Sequence, residues 1–397
     1  MTEPESPDAL LAAIALAAAE ATTLPPAAYT DPALLALERS EIFAQDWVCV
    51  ARSDELPEPG SQLGCKVNGV PVLVVRQPGG MLGAFANVCL HRASVLVDGA
   101  CRARAIRCPY HAWSYDLDGR LINSPRMPDT FSTDGRQLAR FSVCEWRGFL
   151  FVSLAPSPAP LAEKLGGLDK AVAPYRPEAM RTLRREQYRW RCNWKVLVEN
   201  GLEAYHLHAT HSRTLAPLAP AGLTIMEDGP LDYFHYRAGL AGGAETAPFD
   251  PMLKPLVPQP DRTIARETVV GGVFPSLVFS ISGDWIWWIA MQPDGVDHVI
   301  IEHGLSAPFD LSPEEIDPAH PGLYFLDLAE AFNEEDRLRT EAVQHGAESG
   351  LGRTAPLSPL EIGTQRFAGY LARTLSAGHH PSDGADAWRS GWDSNPR

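Results

Sequence analysis

Positive charge is scarce in this sequence and nowhere clustered. Thirty-four Lys and Arg stand against 49 Asp and Glu, a formal net charge of −15, and the Arg-containing stretches are broken by Glu and apolar residues. A face that tracks a phosphate backbone needs clustered cations, so no nucleic-acid partner is expected. Long apolar runs are missing too. The best candidate, residues 9–19, is eleven residues long, follows acids rather than bases and ends at Glu20. It is too short to span a bilayer and wrongly flanked for a signal peptide, so it reads as an Ala-rich helix lying on the protein, with no membrane partner. Cysteine is sparse: seven in 397 residues, an odd number confined to the first half. That does not form a secreted disulfide framework, and a reducing, cytoplasmic compartment is expected.

The length allows two domains with substantial cores. Residues 1–44 read as helical, interrupted at Leu24-Pro25-Pro26, with Thr30-Asp31-Pro32 starting a helix through 34–43. From Trp47 the pattern changes to short β-rich runs with turns at Asn68-Gly69, Pro78-Gly79-Gly80 and Asp118-Gly119, a small antiparallel domain over 45–155. The Pro-rich stretch 155–160 closes it. A second domain, 156–378, carries strand-like runs at 186–190, 232–237, 269–281, 285–292 and 298–304, and long helical patterns at 194–209 and 322–345. The polar tail 379–397 reads as mobile, and there is no internal repeat.

Two short stretches hold paired metal ligands. Cys89-Leu-His91 and Cys108-Pro-Tyr-His111 are Cys/His pairs separated by 16 residues, both in loops between strand-like runs. Two thiolates and two imidazoles suit a tetrahedral zinc, or a [2Fe–2S] cluster in which one iron takes both Cys and the other both His. The remaining cysteines, Cys101 included, lack such partners and read as free structural thiols.

A third stretch, 194–211, contains Glu199, Glu203, His206, His208 and His211. At helical spacing Trp194, Leu197, Val198, Leu202 and Tyr205 form a core stripe, and Glu199, Glu203 and His206 a second stripe, which is ordinarily a solvated face. Far along the chain, Phe325, Leu328, Phe332 and Val343 make an apolar helix face that includes Asp336. A carboxylate buried there must be paired or metal-bound. Glu335 projects about 100° away, toward Arg339, and reads as an ordinary helix-surface acid. Two imidazoles with Asp336 would form a facial triad for non-haem Fe(II), leaving positions open for O₂ and substrate. Spacing does not choose the imidazoles, since His208 with His211 is as plausible as His206 with His211.

Cys89-Leu-His91-Arg92 and Cys108-Pro-Tyr-His111-Ala-Trp113-Ser-Tyr115-Asp-Leu-Asp-Gly119 resemble the Rieske cluster motif through its following hairpin. Ala93 and Ala112 depart from it, standing where such proteins often carry Gly, which implies slightly tighter loops. Asn193-Trp-Lys195, Glu199-Asn200 and Glu203-x-x-His206-x4-His211, followed much later by Glu335-Asp336, resemble the large (α) subunit of the Rieske non-haem iron oxygenases, and the resemblance spans roughly 28–376. It implies an α+β fold: a small all-β Rieske domain inserted into a helix-grip catalytic domain of antiparallel sheet plus helices. It implies a [2Fe–2S] cluster on Cys89, His91, Cys108 and His111, and Fe(II) on His206, His211 and Asp336, with His208 a bystander. Glu203 becomes the catalytic bridge from His206 to His111 of a neighbouring subunit, within a homotrimer. Glu rather than Asp at 203 resembles the choline, betaine and carnitine branch.

The resemblance implies a terminal oxygenase that takes O₂ and electrons from a separate NAD(P)H-dependent reductase or ferredoxin to hydroxylate or demethylate a small substrate. A quaternary or tertiary amine is expected, with an aromatic acid or ring as the alternative. No GxGxxG, P-loop or flavin-like stretch occurs, which fits a separate reductase. A Rieske electron carrier would need little beyond 45–155 and would leave Asp336 and the His pair unexplained. The run 274–281 and Asp284-Trp-Ile-Trp287-Trp288 offer aromatic faces to an ammonium group, with charge from Asp284, although aromatic residues on strands also serve as core.

Overall fold

Asp31 and Pro32 begin a helix as their order demands: the Asp31 side chain accepts from the backbone N–H of Ala33 and Leu34, and Pro32 occupies the first helical position. The computed structural model describes residues 7–227, 229–241, 267–283, 285–308 and 324–378; Asp284 and the tail 379–397 lie outside them. Helix α1 (Pro7–Glu20) buries Leu10, Leu11, Ile14 and Ala17, and α2 (Pro32–Glu38) buries Leu34, Leu35 and Glu38.

Ten strands follow: β1 (Val48–Arg52), β2 (Ser61–Val67), β3 (Val70–Arg76), β4 (Leu82–Ala86), β5 (Ala100–Arg102), β6 (Ile106–Arg107), β7 (Ser114–Tyr115), β8 (Leu121–Asn123), β9 (Arg140–Trp146) and β10 (Phe149–Ser153). Seven form one sheet in the order β1-β10-β9-β4-β3-β2-β5, and β6-β7-β8 form a second. Asn68 and Gly69 both take positive φ between β2 and β3, the two-residue turn that matches strand twist. Short helices α3 (Leu161–Lys164) and α4 (Gly166–Val172) then lead into β11 (Met180–Trp190).

Helices α5 (Trp194–Gly201) and α6 (Leu207–Thr210) precede β12 (Thr224–Met226), β13 (Tyr233–Gly239), β14 (Glu267–Val273), β15 (Leu277–Ser282), β16 (Trp285–Pro293) and β17 (Val299–Pro308). With β11 these make an antiparallel sheet in the order β11-β17-β16-β15-β14-β13-β12. Helices α7 (Tyr324–Glu348) and α8 (Ile362–Gly378) are the last elements among the described residues. The architecture is α+β, as expected, and α1 lies along α8, where Gln365 donates to the Ala18 carbonyl at 2.8 Å.

Both faces of the sheet that runs from β11 to β12 are covered, and β16 shows how. Trp285, Trp287, Ile289 and Met291 join the core shared with α5, α7 and α8. The alternate residues Ile286, Trp288 and Ala290 pack with Phe149, Phe151 and Trp47 of the β1–β10 unit. Period-two alternation thus divides one aromatic block between two cores. Gly304, opposite Trp288, leaves room for its ring: a Cβ there would meet Trp288 Cζ2 at 2.2 Å.

Three expectations need correction. The helical pattern at 194–209 is two helices, because α5 stops at Gly201 and the chain turns before α6; Tyr205 is 49% exposed rather than core. The run 269–281 is two strands, β14 and β15, joined by a turn. On α7, Leu328 and Phe332 are buried as expected but Val343 is 49% exposed, because Thr340 and Gln344 are the residues that face inward in that part of the helix; the Phe325 side chain lies outside the described residues.

Candidate functional site

The two Cys/His loops are built alike. In each, the backbone N–H of the fourth residue after the cysteine donates to the cysteine carbonyl, Ala93 to Cys89 at 3.0 Å and Ala112 to Cys108 at 3.1 Å. Closing the turn puts Ala93 and Ala112 at φ of 54° and 60°, a left-handed conformation that an alanine adopts only with strain. Both cysteines are buried while His91 and His111 are exposed. The imidazoles face one another, Nδ1 to Nδ1 at 3.2 Å, with Trp113 stacked on His91 and Tyr110 on His111.

The donor set fits an iron–sulfur cluster. Burial pushes the Cys89 thiol up, whereas at Cys108 burial is overcome by the N–H groups of His111 and Tyr110, and the thiol is held below its usual value. Tyr115 adds a hydroxyl that accepts from the Leu90 N–H at 3.0 Å and lies 3.3 Å from Cys89 Sγ. Burial pushes its phenol up, so the hydroxyl would be available to donate to a metal-bound thiolate at Cys89, a contact of the kind that tunes cluster potential. Sequence reading passed over Tyr115; its place in the motif was the available signal.

The second constellation gathers at the break between α5 and α6. Glu203 sits in that break, and its Oε2 accepts from the backbone N–H groups of Tyr205 and His206, bracing the turn that leads into α6. Its other oxygen meets His206 Nδ1. From α7, Asp336 presents Oδ1 at 3.6 Å from His206 Nε2 and 3.0 Å from His211 Nε2. One donor atom from each of His206, His211 and Asp336 lies within 4.8 Å of the others. His211 Nε2 is buried and makes no hydrogen bond despite the nearby carboxylate. An unpartnered imidazole nitrogen and a carboxylate oxygen converging on a shared point fit a divalent metal such as Fe(II). Asn200 holds Asp336 Oδ1 at 3.2 Å.

His208, left open by spacing, is exposed, and its Nδ1 contacts the Tyr205 carbonyl at 2.6 Å, outside this cluster. Glu335 overturns its reading as an ordinary surface acid: its Oε2 lies 2.7 Å from His211 Nδ1 and accepts from the Thr214 hydroxyl at 2.6 Å. Projection on an isolated helix could not show a partner arriving from α6. Burial works against a charged His211 ring, but the Asp336 and Glu335 carboxylates outweigh it and raise its pKa.

Above the three donors opens a cavity of about 170 Å³, with Trp285, Trp287, Tyr236 and Phe332 among its walls. Phe279 and Trp288 belong to the opposite core, so the aromatic block is divided between the cavity wall and that core. Asp284 lies outside the described residues.

Residues 46–141 match the Rieske [2Fe-2S] domain, and residues 177–377 match the catalytic domain of ring-hydroxylating alpha subunits. The chain therefore belongs to the ring-hydroxylating alpha-subunit family, whose two domains imply a Rieske cluster and a mononuclear non-haem iron. It is 37% identical to the glycine betaine monooxygenase oxygenase subunit of Chromohalobacter salexigens over 198 residues, covering 49% of this chain and 44% of that protein. The chain thus matches about half the length of this curated relative. Its fold is similar to that of the quaternary ammonium Rieske monooxygenase CntA (TM-score 0.77, 21% identity, 93% and 98% of the two chains). Naphthalene 1,2-dioxygenase from Rhodococcus sp. has a similar fold as well (TM-score 0.78, 19% identity, 94% and 98% of the two chains). Among the described residues, no helix is long and apolar enough to cross a membrane.

Proposed function

We propose that this chain is the terminal oxygenase of a multicomponent system that hydroxylates or demethylates a small methylated amine. One observation carries the reading: His206, His211 and Asp336 converge beneath an aromatic-walled cavity in a chain that also holds paired Cys and His ligands. In this reading Cys89, His91, Cys108 and His111 hold the cluster within 45–155. His206, His211 and Asp336 hold Fe(II) within 156–378, and the helical segment 1–44 packs on that domain. When bound, the cluster supplies electrons one at a time and the iron supplies a centre at which O₂ is activated.

The chain's own residues do the rest. Glu203 keeps His206 oriented and its Nδ1 proton in place, and it is the bridge toward His111 of a neighbouring copy in a homotrimer. The exposed His111 and the apolar side chains around it, Leu90 at 42% and Tyr110 at 57% exposure, support a docking face there. Trp285 and Trp287 offer ring faces to an ammonium group by cation–π attraction, and the similarity to a relative named for glycine betaine supports that substrate class. Hydroxylating an N-methyl group gives an adduct that loses formaldehyde. Electrons come from a separate reductase or ferredoxin. The cysteines at 49, 65, 89, 101, 108, 144 and 192 are all unpaired, which supports a cytoplasmic setting.

Anaerobic reconstitution with iron and sulfide tests the class: iron approaching three per chain with a Rieske spectrum is expected. Two per chain would leave an electron carrier, and a colourless zinc protein would end the proposal. Oxygen uptake and formaldehyde release against methylated amines and aromatic acids, with a surrogate reductase, test the substrate. Uptake with benzoates and none with betaines would transfer the assignment to aromatic substrates.

A further inference from the structure

We propose that Glu335, held by Thr214, is a positioning residue that fixes His211 as an iron ligand, so that α7 supplies both a metal carboxylate and the anchor for an imidazole. The proposal rests on His211 binding iron, as in the reading above, and assigns a role to a neighbour that reading does not use.

The His211 ring lies between consecutive side chains of one helix. Its Nε2 is 3.0 Å from Asp336 Oδ1 and its Nδ1 is 2.7 Å from Glu335 Oε2. Helix geometry makes this possible: adjacent residues diverge by about 100°, so a ring approaching from α6 can be met at both nitrogens. The Glu335 carboxylate accepts only, so Nδ1 carries a proton, and a metal held by Asp336 would take the lone pair of Nε2. The wrong tautomer would put a proton on the nitrogen that faces the metal position. His211 is completely buried, so no solvent can restore the tautomer if this acceptor is lost.

Glu335 is itself constrained. The Thr214 hydroxyl donates to the same Oε2 at 2.6 Å, and the Thr214 backbone N–H donates to the His211 carbonyl at 3.1 Å. The ring, the carboxylate and the threonine therefore form a closed loop of contacts. Each candidate iron imidazole thus has its own carboxylate: Glu203 for His206 and Glu335 for His211. The two differ in what else they hold, since Glu203 braces the turn before α6 while Glu335 ties the end of α6 to α7.

Because both bonds converge on one oxygen, Glu335→Gln can keep both through its amide carbonyl, whereas Glu335→Ala loses them and Thr214→Val releases one. The test uses reconstituted holoprotein with the Rieske absorbance as internal standard for folding, and Fe(II) affinity measured by competition with a chromogenic chelator. Expected is a loss of about 10–100-fold for Glu335→Ala, a smaller loss for Thr214→Val, and an affinity for Glu335→Gln much nearer wild type. Glu335→Ala within twofold of wild type would overturn the proposal. Glu335→Gln as weak as Glu335→Ala would do the same, since the charge and not the tautomer would then matter. Thr214→Val changes shape little, so it reports even where Glu335→Ala fails to fold. A wild-type protein that holds no third iron sinks the oxygenase reading instead, and is told apart by failing before any substitution.

Discussion

Glu199→Gln should flatten part of the protein's pH–stability profile, and the structure sets the size of the effect. Glu199 Oε2 accepts from the Tyr29 hydroxyl at 2.7 Å, but Oε1 is sealed from solvent without a partner. Burial pushes this carboxyl up to about 7, against the pull of Tyr29 and Lys195 and with a further push from Glu361. The unfolded chain releases the same proton near pH 4.5, so between that pH and about 7 the native state binds more protons and stability falls as pH rises. At about 1.4 kcal/mol per pH unit, the loss reaches at most about 3 kcal/mol above pH 7. Glutamine mimics the protonated form, keeps an acceptor for Tyr29 and removes the titration. Urea unfolding followed by Trp fluorescence should show the variant close to wild type at pH 5 and more stable at pH 8, by up to about 3 kcal/mol. An unchanged slope between pH 5 and 8 in Glu199→Gln would refute the reasoning, because the titrating group would then lie elsewhere.

Ala93→Gly and Ala112→Gly should each stabilise the cluster loops by up to about 1 kcal/mol in thermal unfolding, since relief of left-handed strain exceeds the added entropy of the unfolded chain. Trp285→Leu should raise KM for a methylated amine by roughly 2–30-fold with a smaller change in kcat, the range that loss of one cation–π contact produces. Glu203→Gln should lower turnover at least about tenfold while metal analysis finds both centres loaded; full activity in that variant would remove Glu203 from its assigned role.

Much of the site was legible in the sequence because ligand chemistry is local: two Cys/His pairs and one misplaced carboxylate are visible without coordinates. The break after Gly201 was not, because Trp194, Leu197, Val198 and Leu202 are all buried and continue a helical rhythm up to it. Glu203 marks the break, yet a glutamate that accepts from two N–H groups looks in sequence like any helical acid. Beyond the break, His206 and His211 flank the four-residue α6 while His208 lies within it, so spacing counted along one long helix could not select them. Helix α8 went unread although its buried Phe367, Tyr370, Leu371 and Leu375 recur at i, i+3, i+4 and i+8, the spacing of a helix with one apolar face.

The core between the two units bears on how the metal centres meet. Phe149 of β10 packs edge-on against Trp288 at 6.0 Å and alongside Phe279 at 6.3 Å, and Trp146 adds a contact to Phe279 at 6.2 Å. Swinging the cluster unit toward its own iron position would break this core, at a few kcal/mol for each large aromatic side chain exposed. His91 and His111, by contrast, are exposed on the cluster unit. In the proposed reading the route is contact with another copy of the chain, and complementation tests it. Cys108→Ser removes a cluster ligand and Asp336→Ala removes an iron ligand, so each homo-oligomer should be inactive. Random co-assembly in equal amounts should restore about a quarter of wild-type sites, because half the subunits keep an iron site and half of those meet a neighbour with a cluster. Two inactive variants that stay inactive in mixed oligomers, with both metals loaded, would mean that the centres communicate within one chain, and the aromatic core between the units would then have to open during turnover.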